Sequence, residues 1–348
     1  MGSFNLDRLV RPNIRKLKAY SSARGEFQGS EDSMVLLDAN ESPYNNGLNR
    51  YPDPEHKVLK AKLSEIKNIS EAHILLGNGS DELISLLFNA FCQPREDNVI
   101  VLTPTFGMYE VQANITDIAI QKITLTKDFQ PNVNAILEAS DAHTKMLFIC
   151  SPNNPTGNLI DATIIEELLT KFNGLVVVDE AYIDFSTEQS WSQRLKEFPN
   201  LIVLQTLSKA YGLAGIRLGM CFSSKEIIAV LHRLKLPYNL NVLTQKKALE
   251  KISNSALIQE KIDRIIEGRD FVISQLGTID CITKIYPTDA NFVLVQFDDA
   301  TKRYKQLIAK GIVVRNRSTQ PLCDSTLRLT IGTREENLNL LKALKELV

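Results

Sequence analysis

Four short runs in this chain, residues 99–102, 146–150, 175–178 and 201–204, are apolar without interruption. A strand with one wet face alternates apolar and polar residues. An unbroken apolar run therefore marks a strand covered on both faces, as in parallel sheets. Between the runs lie amphipathic stretches such as Asp161-Ala-Thr-Ile-Ile-Glu-Glu-Leu-Leu-Thr-Lys171, suited to crossover helices. The middle of the chain thus predicts an α/β layer, with its functional residues at the carboxyl ends of the strands, where open sheets hold ligands.

Further on the pattern changes. A long polar helix is predicted from about Leu243 to Leu276, and 291–297 and 326–331 alternate as half-exposed strands do. Residues 311–315 add a third short strand and 335–347 a closing helix. At 348 residues the chain exceeds what one core usually serves. The expected organisation is an N-terminal segment, 1–45, packing with the small domain and a partner subunit. A large domain over 46–245 and a small α+β domain over 246–348 complete it.

A net charge of −1 gives no electrostatic case for nucleic acid or an anionic membrane. The five cysteines are odd in number and scattered, without a CxxC, and the four histidines lack metal-ligand spacing. Neither disulfides nor a metal site is expected. With no signal-like apolar core at the N-terminus and no stretch of membrane-spanning length, the expectation is a cytoplasmic protein.

The candidate site residues follow the strands. In Gly77-Asn-Gly-Ser-Asp-Glu82 the glycines permit a tight turn, and Ser80 suits an N-cap. The free N–H groups of the ensuing helix, around Ser80 and Asp81, could bind a phosphate, though the motif also reads as an ordinary capped helix. Phe106, just past one strand, could stack on a flat ring or simply fill the core. In Ser151-Pro-Asn-Asn-Pro-Thr-Gly157 two prolines stiffen a loop that could fix Asn154, or form an Asx-type turn. Asp179 ends an apolar strand, where a carboxylate is costly unless an arginine or another cationic donor pairs with it. Tyr182 returns to the same side, whereas Glu180 faces the other way.

One further run, Gln205-Thr-Leu-Ser-Lys-Ala-Tyr-Gly-Leu-Ala-Gly-Ile-Arg217, sets Lys209 beside Thr206, Ser208 and Arg217. A lysine can hold an aldehyde as a Schiff base, hydroxyls and an arginine can hold a phosphate, and a carboxylate can pair with a protonated pyridine nitrogen. Pyridoxal 5'-phosphate needs all three.

Together these motifs resemble the fold-type I, aspartate aminotransferase-like enzymes, and among them the histidinol-phosphate aminotransferase family. The subfamily-level likeness lies in Tyr20-Ser-Ser-Ala-Arg24, Leu37-Asp-Ala-Asn-Glu-Ser-Pro43, Asn49-Arg-Tyr-Pro52 and Leu327-Arg-Leu-Thr-Ile-Gly-Thr-Arg-Glu-Glu336. The resemblance implies a large domain with a mostly parallel sheet flanked by helices, plus a smaller α+β domain. It also implies a catalytic Lys209 that bonds the cofactor and then shuttles a proton. Asp179 would pair with the pyridine nitrogen, Asn154 and Tyr182 meet the phenolate oxygen, and Phe106 stack on the ring, where family members often carry tyrosine. Ser80, Asp81, Thr206, Ser208 and Arg217 would hold the cofactor phosphate, with Tyr51 supplied by the other subunit of a homodimer. Tyr20, Asn40, Asn154, Arg315 and Arg328 would bind the substrate.

The implied reaction joins L-histidinol phosphate and 2-oxoglutarate to imidazole acetol phosphate and L-glutamate by a ping-pong route in histidine biosynthesis. Threonine-phosphate decarboxylase and aromatic aminotransferase activity stay open as alternatives. A pyridoxal-binding regulatory module is disfavoured, because the family-like motifs begin by Tyr20 and leave no room for a DNA-binding domain.

Overall fold

The computed structural model describes residues 4–18, 20 and 34–347. Seven strands form the larger sheet: β1 (Ile74–Asn78), β2 (Asn98–Thr103), β3 (Ala119–Thr124), β4 (Thr144–Cys150), β5 (Leu175–Asp179), β6 (Leu201–Thr206) and β7 (Leu218–Ser223). Their order is β1-β7-β6-β5-β4-β2-β3. Only β7 runs antiparallel to its neighbours. The unbroken runs are indeed central strands: β5 and β6 are buried at every position. One face packs Val176, Val178, Leu201 and Val203, and the opposite face packs Leu175, Val177, Ile202 and Leu204.

Because β7 is reversed, its start lies at the same sheet edge as the ends of the parallel strands. Seven strand termini therefore lie there: the ends of β1 to β6 and the beginning of β7. The helix Gly79–Phe91 leaves this edge and buries Leu83, Ile84, Leu87, Phe88 and Phe91, an apolar stripe at helical spacing.

A second, antiparallel sheet has the order β10-β11-β9-β8, from β8 (Ile282–Ile285), β9 (Phe292–Phe297), β10 (Arg315–Asn316) and β11 (Thr326–Thr330). The helix Arg334–Lys345 closes it, started by a full capping box between Thr333 and Glu336.

Several expectations from the sequence need correction. The single helix from Leu243 to Leu276 is two, Val242–Ile252 and Ser255–Leu276, because the Asn254 side chain accepts from the Leu257 N–H and caps a new start. The strand expected at 311–315 is only Arg315–Asn316. Residues 291–297 are not half-exposed: β9 is almost wholly buried, since Val293, Val295 and Phe297 join the small-sheet core while Leu294 joins a core of the large sheet. Of the N-terminal segment, Leu9, Val10 and Ile14 pack beside the helix Gly79–Phe91 rather than on the small domain, and the Arg11 N–H donates to the Ala90 carbonyl at 3.0 Å. Among the described residues no helix is long and apolar enough to cross a membrane.

Candidate active site

Ten of the expected residues line one cleft of about 160 Å³ at the convergent edge: Ser80, Asp81, Phe106, Asn154, Asp179, Tyr182, Thr206, Ser208, Lys209 and Arg217. Topology explains this. Each of the ten sits just past, or at the end of, a strand that terminates there, or immediately before reversed β7.

At one end is a cradle suited to an anion. The helix Gly79–Phe91 starts after Asn78 with no side-chain cap, so Ser80 is not the N-cap but lies within the first turn. Its leading backbone N–H groups are left without side-chain acceptors, apart from the bond Glu82 makes to the Asn78 N–H. Arg217 lies beside them and donates to Asp81 at 3.1 Å. The chain is drawn in closely: the Gly79 N–H donates to the Arg217 carbonyl at 2.9 Å, and a Cβ on Gly219 would fall 2.5 Å from the Ser80 nitrogen. Only glycine fits at 219. The Thr206 hydroxyl donates to Leu218 O at 3.2 Å or to Ser208 Oγ at 3.0 Å, and it accepts from the Ser208 N–H at 3.1 Å.

The middle of the cleft holds Asp179, which is 2% exposed. Tyr109 Oη donates to its carboxylate at 2.7 Å and the Ala181 N–H at 3.1 Å. No basic side chain among the described residues forms a salt bridge with it. Burial pushes its pKa up, against the pull of these two hydrogen bonds and of Lys209. A buried carboxylate in this state is matched to a cationic N–H donor, as a protonated pyridine would be. Lys209 stands at the mouth, its pKa lowered first by desolvation and then by Arg328, against the attraction of Asp179. More of its amine is therefore free to attack a carbonyl at neutral pH.

Asn154 lies opposite, buried, and its Oδ1 accepts from the Arg328 guanidinium. Arginine only donates, so this bond fixes the amide orientation and leaves Nδ2 as a donor for an acceptor in the cleft. Phe106 meets Tyr109 edge to face, with centroids 5.6 Å apart. Uncapped donors, the glycine approach, the unsalted Asp179 and the oriented Asn154 together fit a phosphorylated pyridine aldehyde.

Other expected residues do not reach this cleft within the chain. Tyr51 is 52% exposed and stacks on Tyr238 at 4.4 Å. It shares a separate surface hollow with Asn40. Tyr20 is 76% exposed, and residues 21–24 of its motif lie outside the described residues. Arg315 is exposed, paired across the strands with Arg328. What the sequence reading missed is Tyr109, whose only signal was its place three residues after Phe106. Cys150, across from Asp179 in the β4–β5 register, was also missed as a wall of the cleft.

Glu180 faces away, as expected, and accepts from Trp191 N at 2.7 Å and from Gln205 Nε2 at 2.8 Å, with Ser190 Oγ also bonded. Burial raises its pKa from 4.5 to about 7 against those three bonds. Between the two values the folded chain keeps a proton that the unfolded chain has lost. The proton's stabilising contribution is thus complete below the ordinary glutamate range and disappears as pH rises through 7. Glu180→Gln should remove this dependence. In thermal melts from pH 5 to pH 8, wild type should lose stability relative to the variant by at most about 1.4 kcal/mol per pH unit. Parallel curves would show that Glu180 is ionised throughout.

The model of the family "Aminotransferase class I and II" matches residues 25–344. The chain is 55% identical over 347 residues to a histidinol-phosphate aminotransferase of Christiangramia forsetii, covering 100% of this chain and 99% of that one. It is 54% identical over 346 residues to the enzyme of that name from Flavobacterium johnsoniae, covering 99% of each. Among solved structures, the histidinol-phosphate aminotransferase of Clostridium acetobutylicum superposes with a TM-score of 0.79 at 26% identity, over 86% of this chain and 90% of that one. The chain belongs to the class I and II aminotransferases, in their histidinol-phosphate aminotransferase branch.

Proposed function

We propose that this chain moves the amino group of L-histidinol phosphate to 2-oxoglutarate, yielding imidazole acetol phosphate and L-glutamate in histidine biosynthesis. It is a transferase dependent on pyridoxal 5'-phosphate, as its family is. The observation that carries the residue assignments is the convergence of ten cofactor-compatible side chains and backbone donors on one cleft, with Arg328 reaching it through Asn154.

Bound pyridoxal phosphate supplies an aldehyde to carry the amino group and a ring to draw electrons from the substrate Cα. The chain does the rest. Lys209 would hold the bound cofactor and, once freed by the substrate amine, accept the substrate Cα proton on Nζ. Asp179, oriented by Tyr109, would face the pyridine nitrogen and favour its protonated form. Asn154 Nδ2 and Tyr182 Oη would donate to the phenolate oxygen, and Phe106 would cover the ring. The first-turn N–H groups with Thr206, Ser208 and Arg217 would hold the phosphate. Arg315 and Arg328 bind the substrate anion: the phosphate of one substrate, then a carboxylate of the other.

Tyr51, Asn40 and Tyr20 complete a neighbouring site in a homodimer. Support for this comes from their absence from the lining of the chain's own cleft, and from the exposed Leu48 and Leu243, which share a surface hollow with Tyr51 and Asn40. Tyr51→Ala and Lys209→Ala subunits, each poorly active alone, should regain up to about a quarter of wild-type activity when refolded together, since half of random dimers carry one intact site. No recovery would place Tyr51 in its own chain's site. A cytoplasmic setting agrees with five cysteines that are all buried and unpaired.

Titrating the holoenzyme with histidinol phosphate alone tests the reading. The cofactor's visible absorption should shift stoichiometrically and return on adding 2-oxoglutarate; an unchanged spectrum would sink it.

A further inference from the structure

Arg317 received no role from the sequence, yet its setting is unusual. The β10–β11 register places Arg315 opposite Arg328, and strand alternation returns Arg317 to the side of Arg315. The Arg317 N–H continues the pairing, donating to the Thr326 carbonyl at 2.9 Å. The three guanidinium groups are thus neighbours on the small sheet, and those of Arg317 and Arg328 lie within electrostatic reach of Tyr182 of the cleft.

Their hydrogen-bonding is incomplete. The Nε atoms of Arg317 and Arg328 are both buried and bond to nothing among the described residues, and the neighbouring Ser318 Oγ is likewise without a partner. Among the described residues none of the three arginines forms a salt bridge, although acid-paired arginines are common elsewhere, as in Arg303 with Asp298 at 2.6 Å. Desolvation, followed by repulsion from Arg328 and Arg315, lowers the Arg317 pKa; desolvation lowers that of Arg328, with Arg315 adding to it. A half-buried guanidinium with a buried, idle Nε donor and cationic neighbours is costly unless an anion arrives.

We propose that Arg317 is a third, specificity-determining cation of the substrate-anion pocket, matched to a phosphate monoester dianion rather than to a carboxylate. This rests on the aminotransferase reading above. A carboxylate brings one negative charge and two oxygens, which a pair of arginines can satisfy. A phosphate monoester brings nearly two charges at neutral pH and three terminal oxygens, and so uses a third fork. Arg317 therefore favours the amino phosphate half of the cycle and is nearly idle in the glutamate half.

The test measures the two half-reactions separately, following cofactor absorbance in the holoenzyme with either histidinol phosphate or glutamate as donor. Arg317→Gln should lower kcat/KM for histidinol phosphate about 10- to 100-fold while changing that for glutamate by about threefold or less, the range for losing a charge-assisted bond. Inhibition by inorganic phosphate, read as displacement of equilibrium binding, should weaken by a similar factor. Arg317→Lys should restore part of both, with cofactor content and Tm unchanged. Equal losses on both donors, or none, would overturn the inference. Should Arg317→Gln fail to fold, the Lys variant carries the same comparison: a loss confined to the phosphate ester and to phosphate binding supports the proposal, and an even loss refutes it. A wild-type enzyme inert towards histidinol phosphate would instead refute the functional reading, leaving phosphate binding to judge Arg317.

Discussion

Replacing Lys209 with alanine should abolish turnover, by about four orders of magnitude or more, since one side chain supplies both the carbonyl-binding amine and the proton carrier. The fold should survive, because Lys209 is an exposed residue at the cleft and not part of the apolar core. Its Nζ lies 5.6 Å from the centroid of the Tyr182 ring. Two readouts separate this role from mere positive charge. Borohydride reduction of the wild type should fix the cofactor to the peptide carrying Lys209 and to no other. Small exogenous amines should restore part of the lost rate in the variant. A cofactor mass on some other lysine would move the catalytic assignment.

Asp179→Asn is expected to cost about 10²- to 10³-fold in kcat, the size typical of removing one preorganised electrostatic partner. The substitution is nearly isosteric: the amide oxygen can keep the Ala181 N–H, 3.1 Å from the carboxylate, while Nδ2 donates to Tyr109 Oη, whose hydroxyl can turn to accept at the 2.7 Å position. Stability should therefore hold or improve, because the change removes a buried charge whose pKa is already raised by desolvation. Steady-state kinetics together with thermal melts check both parts. A kcat within about tenfold of wild type would show that ring protonation does not depend on Asp179.

Much of the fold was legible in the sequence wherever burial on both faces left an unbroken apolar run, as in β2, β4, β5 and β6. β7 was not. Leu218-Gly-Met-Cys-Phe222 drew no strand expectation, yet Gly219 is inside a strand, and its missing Cβ lets Gly79 and Ser80 approach. The need of the site there overrode strand propensity. β3, with Gln121 and Lys122, is an edge strand whose polar positions hid its pattern. β9 misled in the opposite direction, since its two faces enter different cores and a single-sheet reading of alternation does not apply.

The cofactor cleft was readable because each residue follows a strand end, and parallel strands bring their ends together. Contacts between distant segments were not readable. Nothing local links Tyr109 to Asp179, 70 residues on. Arg317 looked like one more loop arginine until pairing of β10 with β11 set it beside Arg315 and Arg328. Tyr20, Asn40 and Tyr51 were named from resemblance alone, and in a single chain they lie apart from the cleft.

The most direct test of the account supplies the purified holoenzyme with L-histidinol phosphate and 2-oxoglutarate and measures L-glutamate. One glutamate should form per histidinol phosphate consumed, with parallel initial-rate lines for a ping-pong cycle. Absence of glutamate, with carbon dioxide released from threonine phosphate, would contradict it.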